Sequence, residues 1–158
     1  MPSEPPTPPG ADPEPRPQVS FYVLEEASSS ARLQLACRLT EKAYRAGQSV
    51  LIWLTDAREL ALLDELLWTF GDDRSFIPHE PLSALAEAPV QLSAGKEPAG
   101  PVNVLINLSA GVPPCASLAG RVLEIIDGDP ARREAGRARF RAYRELGLRP
   151  VSHQLRGN

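Results

Sequence analysis

The chain has 158 residues, 42% of them hydrophobic and 23% charged, with 17 prolines and a formal charge of -3. That length suits one domain able to bury a real core, and no run approaches the ~20 apolar residues of a membrane span. Cys37 and Cys115 lie far apart without a CxxC neighbour, and His79 and His153 are the only histidines, so a disulfide framework, a zinc site or a histidine-centred catalyst lacks material.

Average usage would supply roughly 8 prolines over the whole chain, yet eight of the 17 fall between Pro2 and Pro17. Residues 1–18 alternate Pro, Glu, Asp, Ser and Thr without apolar periodicity. That composition predicts a disordered or polyproline-like tail, leaving 19–158 to make the fold. The segment has no basic start and no apolar stretch, unlike a secretory signal. As a Pro-rich ligand for an aromatic groove it is poorly equipped, because Arg16 is its only basic residue. The two cysteines read as small buried thiols in a reducing cytosol.

From Val19 the pattern becomes regular. Val19 to Leu24 is β-rich and predicts a first strand. Ser28-Ser29-Ser30 offers an N-cap, and Leu35, Ala36, Leu39 and Ala43 follow at helical spacing toward Gly47. Ser49 to Leu54 is a continuous apolar run, as a strand buried on both faces requires. Thr55 or Asp56 caps a second helix with a stripe of Leu60, Leu63, Leu66 and Leu67, leaving Asp64 and Glu65 outside. A polar turn, Gly71 to Arg74, precedes Phe76-Ile77-Pro78. Further strands are predicted at Val90–Leu92, Val102–Leu108 and Val122–Ile126. Asp129-Pro130 opens a last helix, since Asp caps well and Pro suits the first helical position; Gly147 stops it near Leu146. Strands alternating with helices predict an α/β sheet covered on both faces.

Such a pattern invites a phosphate loop, but neither GxGxxG nor GxxxxGK[ST] occurs. After the first strand stand Glu25 and Glu26, two carboxylates that would repel a phosphate there. No GxSxG elbow supplies a nucleophile. The pairs Asp64-Glu65 and Asp72-Asp73 occupy adjacent positions, which do not share a helix face. His79 reads as a loop histidine bonded to backbone. The sequence therefore points away from an enzyme, and neither a cofactor nor a metal is expected.

The charge is unevenly placed. Residues 1–129 carry 9 basic and 18 acidic side chains, a balance of -9, whereas residues 130–158 carry eight arginines against Glu134 and Glu145, a balance of +6. A basic end on an acidic body calls for an anionic partner. At about 100° per residue, Arg133, Arg137, Arg141 and Arg144 fall within roughly 80° of arc, with Phe140 at its edge and Tyr143 about 60° beyond. Such a stripe either pairs with phosphates while stacking on bases or holds an acidic peptide whose apolar end enters an aromatic-edged pocket. Trp68 and Phe76, flanking the polar turn, are candidates to wall such a pocket.

Several stretches resemble the chi subunit of bacterial DNA polymerase III holoenzyme: Phe21 to Leu24, Gly47 to Ile52, Leu63 to Trp68, Ser75 to His79, and Arg137 to Tyr143 with Arg144. They occur in family order from Val19 to the C-terminus; the Pro-rich tail lies outside. The resemblance implies one α/β, Rossmann-like domain, its sheet mostly parallel or mixed, without a phosphate-binding loop. It also implies a non-catalytic, cytoplasmic adaptor of the clamp loader. Such an adaptor joins the psi subunit and binds the acidic C-terminal tail of single-stranded DNA-binding protein, touching DNA only indirectly and no membrane. Carried over residue by residue, the tail site comprises Arg133, Arg137, Phe140, Arg141 and Tyr143, with Arg144 on the same stripe and Trp68, Phe76 and Ile126 as the pocket side. Phe140 stands where the family often has tyrosine, which restricts it to packing. The alternative from another class is direct binding of single-stranded nucleic acid by the arginine helix, opposed by the acidic body. A third is a degenerate nucleotide-binding enzyme.

Overall fold

The computed structural model describes residues 17–70 and 76–155. In chain order the elements are β1 (Gln18–Leu24), α1 (Ser29–Arg45), β2 (Val50–Trp53), α2 (Ala57–Thr69), β3 (His79–Pro81), β4 (Val90–Ser93), β5 (Val102–Asn107), a short 3-10 turn at Ala116–Leu118, β6 (Ala119–Ile126), α3 (Pro130–Glu145) and β7 (Val151–Leu155). The seven strands form one sheet in the order β3-β4-β2-β5-β6-β1-β7, and every pairing is parallel. The choice left open between a mostly parallel and a mixed sheet resolves to an all-parallel one.

Local chemistry starts the helices where the sequence places them. The side chains of Ser28, Asp56 and Asp129 accept the backbone N–H groups of Ala31, Glu59 and Arg132, and Pro130 occupies the first turn of α3. After α3, Gly147 takes φ of 86°, a left-handed conformation that suits a residue lacking Cβ.

The central strands alternate between two cores. Val50, Ile52 and Leu54 join Leu35, Cys37, Leu63 and Leu67 in a layer beneath α1 and α2. Leu51 and Trp53 join Phe21, Leu105, Val122 and Tyr143 in the layer beneath α3. This two-sided burial explains the apolar runs. Both cysteines are buried and free, and burial pushes the Cys37 thiol up to about 12, which keeps it unreactive.

Two strands lack a forecast in the sequence. β3 and β7 are the edges, only three and five residues long, and their polar composition carries no apolar run. β1 also begins one residue earlier than expected, at Gln18. The rest of the N-terminal segment, residues 1–16, and the turn Gly71 to Arg74 lie outside the described residues. Among the described residues no helix is long and apolar enough to cross a membrane.

Candidate functional site

α3 crosses the sheet with one face turned in and one turned out. Gly136 sets its closeness, since a Cβ there would collide with the Ile126 side chain of β6. The side chains on either side of this contact frame a pocket of about 220 Å³, lined by Phe21, Val23, Ile126, Arg133, Gly136, Arg137, Phe140, Ser152 and Gln154. Its base is apolar: Phe21 and Phe140 lie 5.2 Å apart, centroid to centroid.

Two arginines stand at the rim. Arg133 is half-buried and donates to the backbone carbonyls of Leu24 and Asp127, both at 3.3 Å. Arg137 is exposed and, among the described residues, meets Glu134 at 3.1 Å, one turn back on the same helix. An exposed pair of this kind holds its partner weakly, so the Arg137 fork is accessible to a competing carboxylate.

The inward face of α3 carries a different chemistry. Glu124 of β6 is fully buried, and Arg139 Nε donates to it at 2.8 Å, the Tyr143 hydroxyl at 2.6 Å and the Asn107 amide at 2.9 Å and 3.0 Å. Arg139 Nη1 also donates to the Ala110 carbonyl at 2.8 Å. Burial pushes the Glu124 carboxyl upward against the opposing pull of Arg139, Tyr143 and Asn107. Burial, with the adjacent Glu124, raises the Tyr143 phenol as well.

Beside this network Asp127 takes two 2.7 Å bonds from Arg132 and further bonds from the backbone N–H groups of Ser28 and Asp129. Burial opposes its ionisation, but these donors prevail and hold its carboxyl at about 2. Two of the arginines behind the +6 of the C-terminal end are thus matched by Glu124 and Asp127 of the acidic body.

The residues singled out from sequence divide into four groups. Ile126, Arg133, Arg137 and Phe140 converge on the pocket. Arg141 and Arg144 are exposed on the same helix outside its lining. Tyr143 is not at the surface: it lies wholly buried, edge-on to Phe21 at 5.9 Å, with its hydroxyl committed to Glu124. Its angular offset beyond Phe140 turns it into the core.

Trp68 and Phe76 lie at the other end of the sheet. α2 packs near β3 and β4, and β3 and β7 are opposite edges, separated by roughly 29 Å at ~4.8 Å per strand spacing. The two rings stack 5.3 Å apart and remain 54% and 58% exposed. His79 packs under Trp68 at 4.6 Å, with Nδ1 2.7 Å from the Ile77 carbonyl and Nε2 3.1 Å from the Asp64 carbonyl and 3.4 Å from its carboxylate; the backbone contacts agree with its sequence setting, but it opens β3 rather than lying in a loop.

The sequence does not flag Phe21, Val23, Ser152 or Gln154 as pocket residues; the last two depend on β7. Glu124 did leave a signal, a lone charge in the apolar run Val122 to Ile126, because a buried charge requires a partner. Among the described residues no cluster of His, Cys, Asp or Glu fits a metal ion.

Comparison with known proteins adds an independent finding. A protein-family model described as DNA polymerase III chi subunit, HolC, matches residues 17–150. DNA polymerase III subunit chi of Pseudomonas aeruginosa is 43% identical over 138 residues, covering 87% of this chain and 96% of that protein. The Haemophilus influenzae protein of the same name is 29% identical over 131 residues, covering 80% of this chain and 90% of that protein.

Proposed function

The chain belongs to the DNA polymerase III chi subunit family, an accessory rather than catalytic part of the replicative holoenzyme, and we propose that it is an adaptor with two separate docking edges. At the α3–β7 edge it takes the acidic, phenylalanine-ended C-terminal tail of single-stranded DNA-binding protein. The observation that carries this reading is the pocket itself, an apolar base of Phe21, Ile126 and Phe140 beneath the forks of Arg133 and Arg137. A terminal carboxylate pairs with a guanidinium fork. A terminal phenyl ring fully removed from water contributes roughly 1.5–3 kcal/mol.

At the opposite edge, the exposed Trp68–Phe76 pair is the apolar surface suited to psi, through which the clamp loader is reached. Large exposed aromatics side by side mark interaction sites. This assignment moves both residues from the tail pocket to the second partner. Direct binding of single-stranded DNA is the weaker reading, because Arg132 and Arg139 are committed to the buried carboxylates of Asp127 and Glu124 and the acidic body opposes a long phosphate backbone. A protein joining these partners would work in the cytoplasm.

The decisive experiment titrates the tail peptide with its terminal Phe present or removed. Loss of binding on removal supports the pocket, whereas equal affinity reduces the interaction to charge alone. Trp68→Ala with Phe76→Ala should abolish psi binding and leave the tail titration unchanged; a parallel loss of both would refute the separation of edges.

A further inference from the structure

The two edges of the sheet are kept differently. β3 is guarded: it is three residues long, Glu80 carries a charge and Pro81 has no N–H to offer. β7 runs five residues, Val151-Ser152-His153-Gln154-Leu155, with no Lys, Arg, Asp, Glu or Pro, and all but Leu155 are exposed. Bare edges of this kind pair with other chains unless charge, proline or brevity prevents it. Among the described residues only β1 pairs with β7, so the outward N–H and C=O groups of alternate residues meet no described strand.

This open edge is continuous with the tail pocket. In the β1–β7 register Phe21 stands beside Ser152 and Val23 beside Gln154, and all four line the pocket. A strand added outside β7 would extend both rows by one more side chain on the α3 face, about 4.8 Å further out. Ser152 has the smallest side chain of the strand, which lowers the way from the edge into the pocket.

Charge gives the direction. Arg133 donates to the carbonyl of Leu24, which stands beside Leu155 at the end of β7. α3 returns the chain from the end of β6 to the start of β7, so Arg141 and Arg144 lie toward Val151. Both are exposed, and neither has an ion pair among the described residues. They follow Arg137 by about 6 Å and ~10 Å along the helix axis, which matches about two and three residues of an extended chain at ~3.3 Å each.

Resting on the tail-binding reading above, we infer that the acidic, phenylalanine-ended tail binds as an eighth strand, parallel to β7. Its terminal ring enters the pocket, its terminal carboxylate meets Arg133 and Arg137, and the acidic residues upstream face Arg141 and Arg144. Main-chain bonds to the edge supply affinity, and the pocket selects the end of the peptide.

Amide-to-ester exchange along a synthetic acidic peptide ending in Phe tests the added strand, since each ester deletes one N–H without adding bulk. Titrated into the full chain, esters at every second position should weaken binding about threefold to tenfold, the worth of one hydrogen bond. Those between should leave it unchanged. Amide hydrogen exchange across Val151–Leu155 should slow on saturation with the parent peptide. Arg144→Glu should weaken the parent peptide about tenfold and spare one whose upstream acids are replaced by their amides.

A parent peptide that does not bind overturns the tail-binding reading and the strand with it. A parent that binds while all esters are equivalent and β7 exchange is unaltered leaves the pocket standing and overturns the strand alone. An equal effect of Arg144→Glu on both peptides overturns the direction. Protection of β7 that rises with protein concentration in the absence of peptide identifies a second copy as the occupant of the edge, which also overturns the inference.

Discussion

Arg137 and Arg139 are two residues apart on one helix and differ in almost everything that follows from burial. Arg139 lies beneath α3, 2.8 Å from a carboxylate that no water reaches. Arg137 lies outside, 3.1 Å from a carboxylate as exposed as itself. The inner pair fixes how the helix sits on the sheet, since removing either member strands a charge in the core. The outer pair fixes nothing, which leaves it free to exchange partners. One stretch of arginine-rich sequence therefore supplies both an anchor and a docking surface, and the helical period decides which residue does which.

The largest effect should come from the inner face. Glu124→Ala leaves Arg139 and Tyr143 facing an unfilled space, and breaking a buried ion pair costs about 3–5 kcal/mol. Urea denaturation measures this directly. Glu124→Met combined with Arg139→Met should recover much of the loss, because apolar side chains of similar volume replace a buried pair at little cost. If the double variant proves as unstable as the single one, the network contributes net stability rather than specifying the helix position.

Asp127 should come next, with a clear dependence on pH. Its carboxyl lies at about 2 in the fold against an ordinary value of 3.8. The folded state therefore favours the ionised form, and its contribution is complete above the ordinary value. As pH falls from about 4 toward 2, protonation removes it; the shift corresponds to about 2.5 kcal/mol at ~1.4 kcal/mol per unit. The stability gap between the unsubstituted chain and Asp127→Asn should be full at pH 6 and close over that window. A gap independent of pH would mean that Arg132 is held by something other than charge.

The same contrast explains what the sequence discloses. Apolar runs such as Val50 to Trp53 declare buried strands, and Ser28, Asp56 and Asp129 declare helix starts, because these are local physical requirements. Sheet order is not local. Trp68 and Phe76 could be placed beside the arginines only while the strand order was unknown; with β3 and β7 at opposite edges they belong to a different surface. β7 itself, Val151-Ser152-His153-Gln154-Leu155, is mostly exposed and needs no apolar pattern, which hides both the strand and its two pocket residues. Tyr143 was legible as an aromatic beside the stripe, but only Glu124, 19 residues earlier, reveals why it turns inward.

A smaller effect, on binding rather than stability, is expected at the rim. Arg137→Ala should lower affinity for the acidic tail by about tenfold, the equivalent of ~1.4 kcal/mol for one charge-assisted contact. Thermal unfolding should hardly move, as is usual for a surface substitution. If stability falls together with affinity, the outer face is structural after all and the contrast with Arg139 disappears.

The smallest effect is the most discriminating. Glu134 is exposed, and its contact with Arg137 spans three residues on the helix surface. Such a pair contributes about 0.2–0.5 kcal/mol, so Glu134→Ala should leave the unfolding midpoint nearly unchanged. Its influence on the tail should have the opposite sign to that of Arg137→Ala. Without Glu134 the fork has no partner to release, and one repelling charge is gone from the approach of an anionic peptide. Affinity should therefore rise, most visibly in a faster association rate at low salt, and the gain should shrink as added salt screens the removed charge. A decrease in affinity would show instead that Glu134 holds Arg137 in its binding orientation, making the outer pair a weaker copy of the inner one.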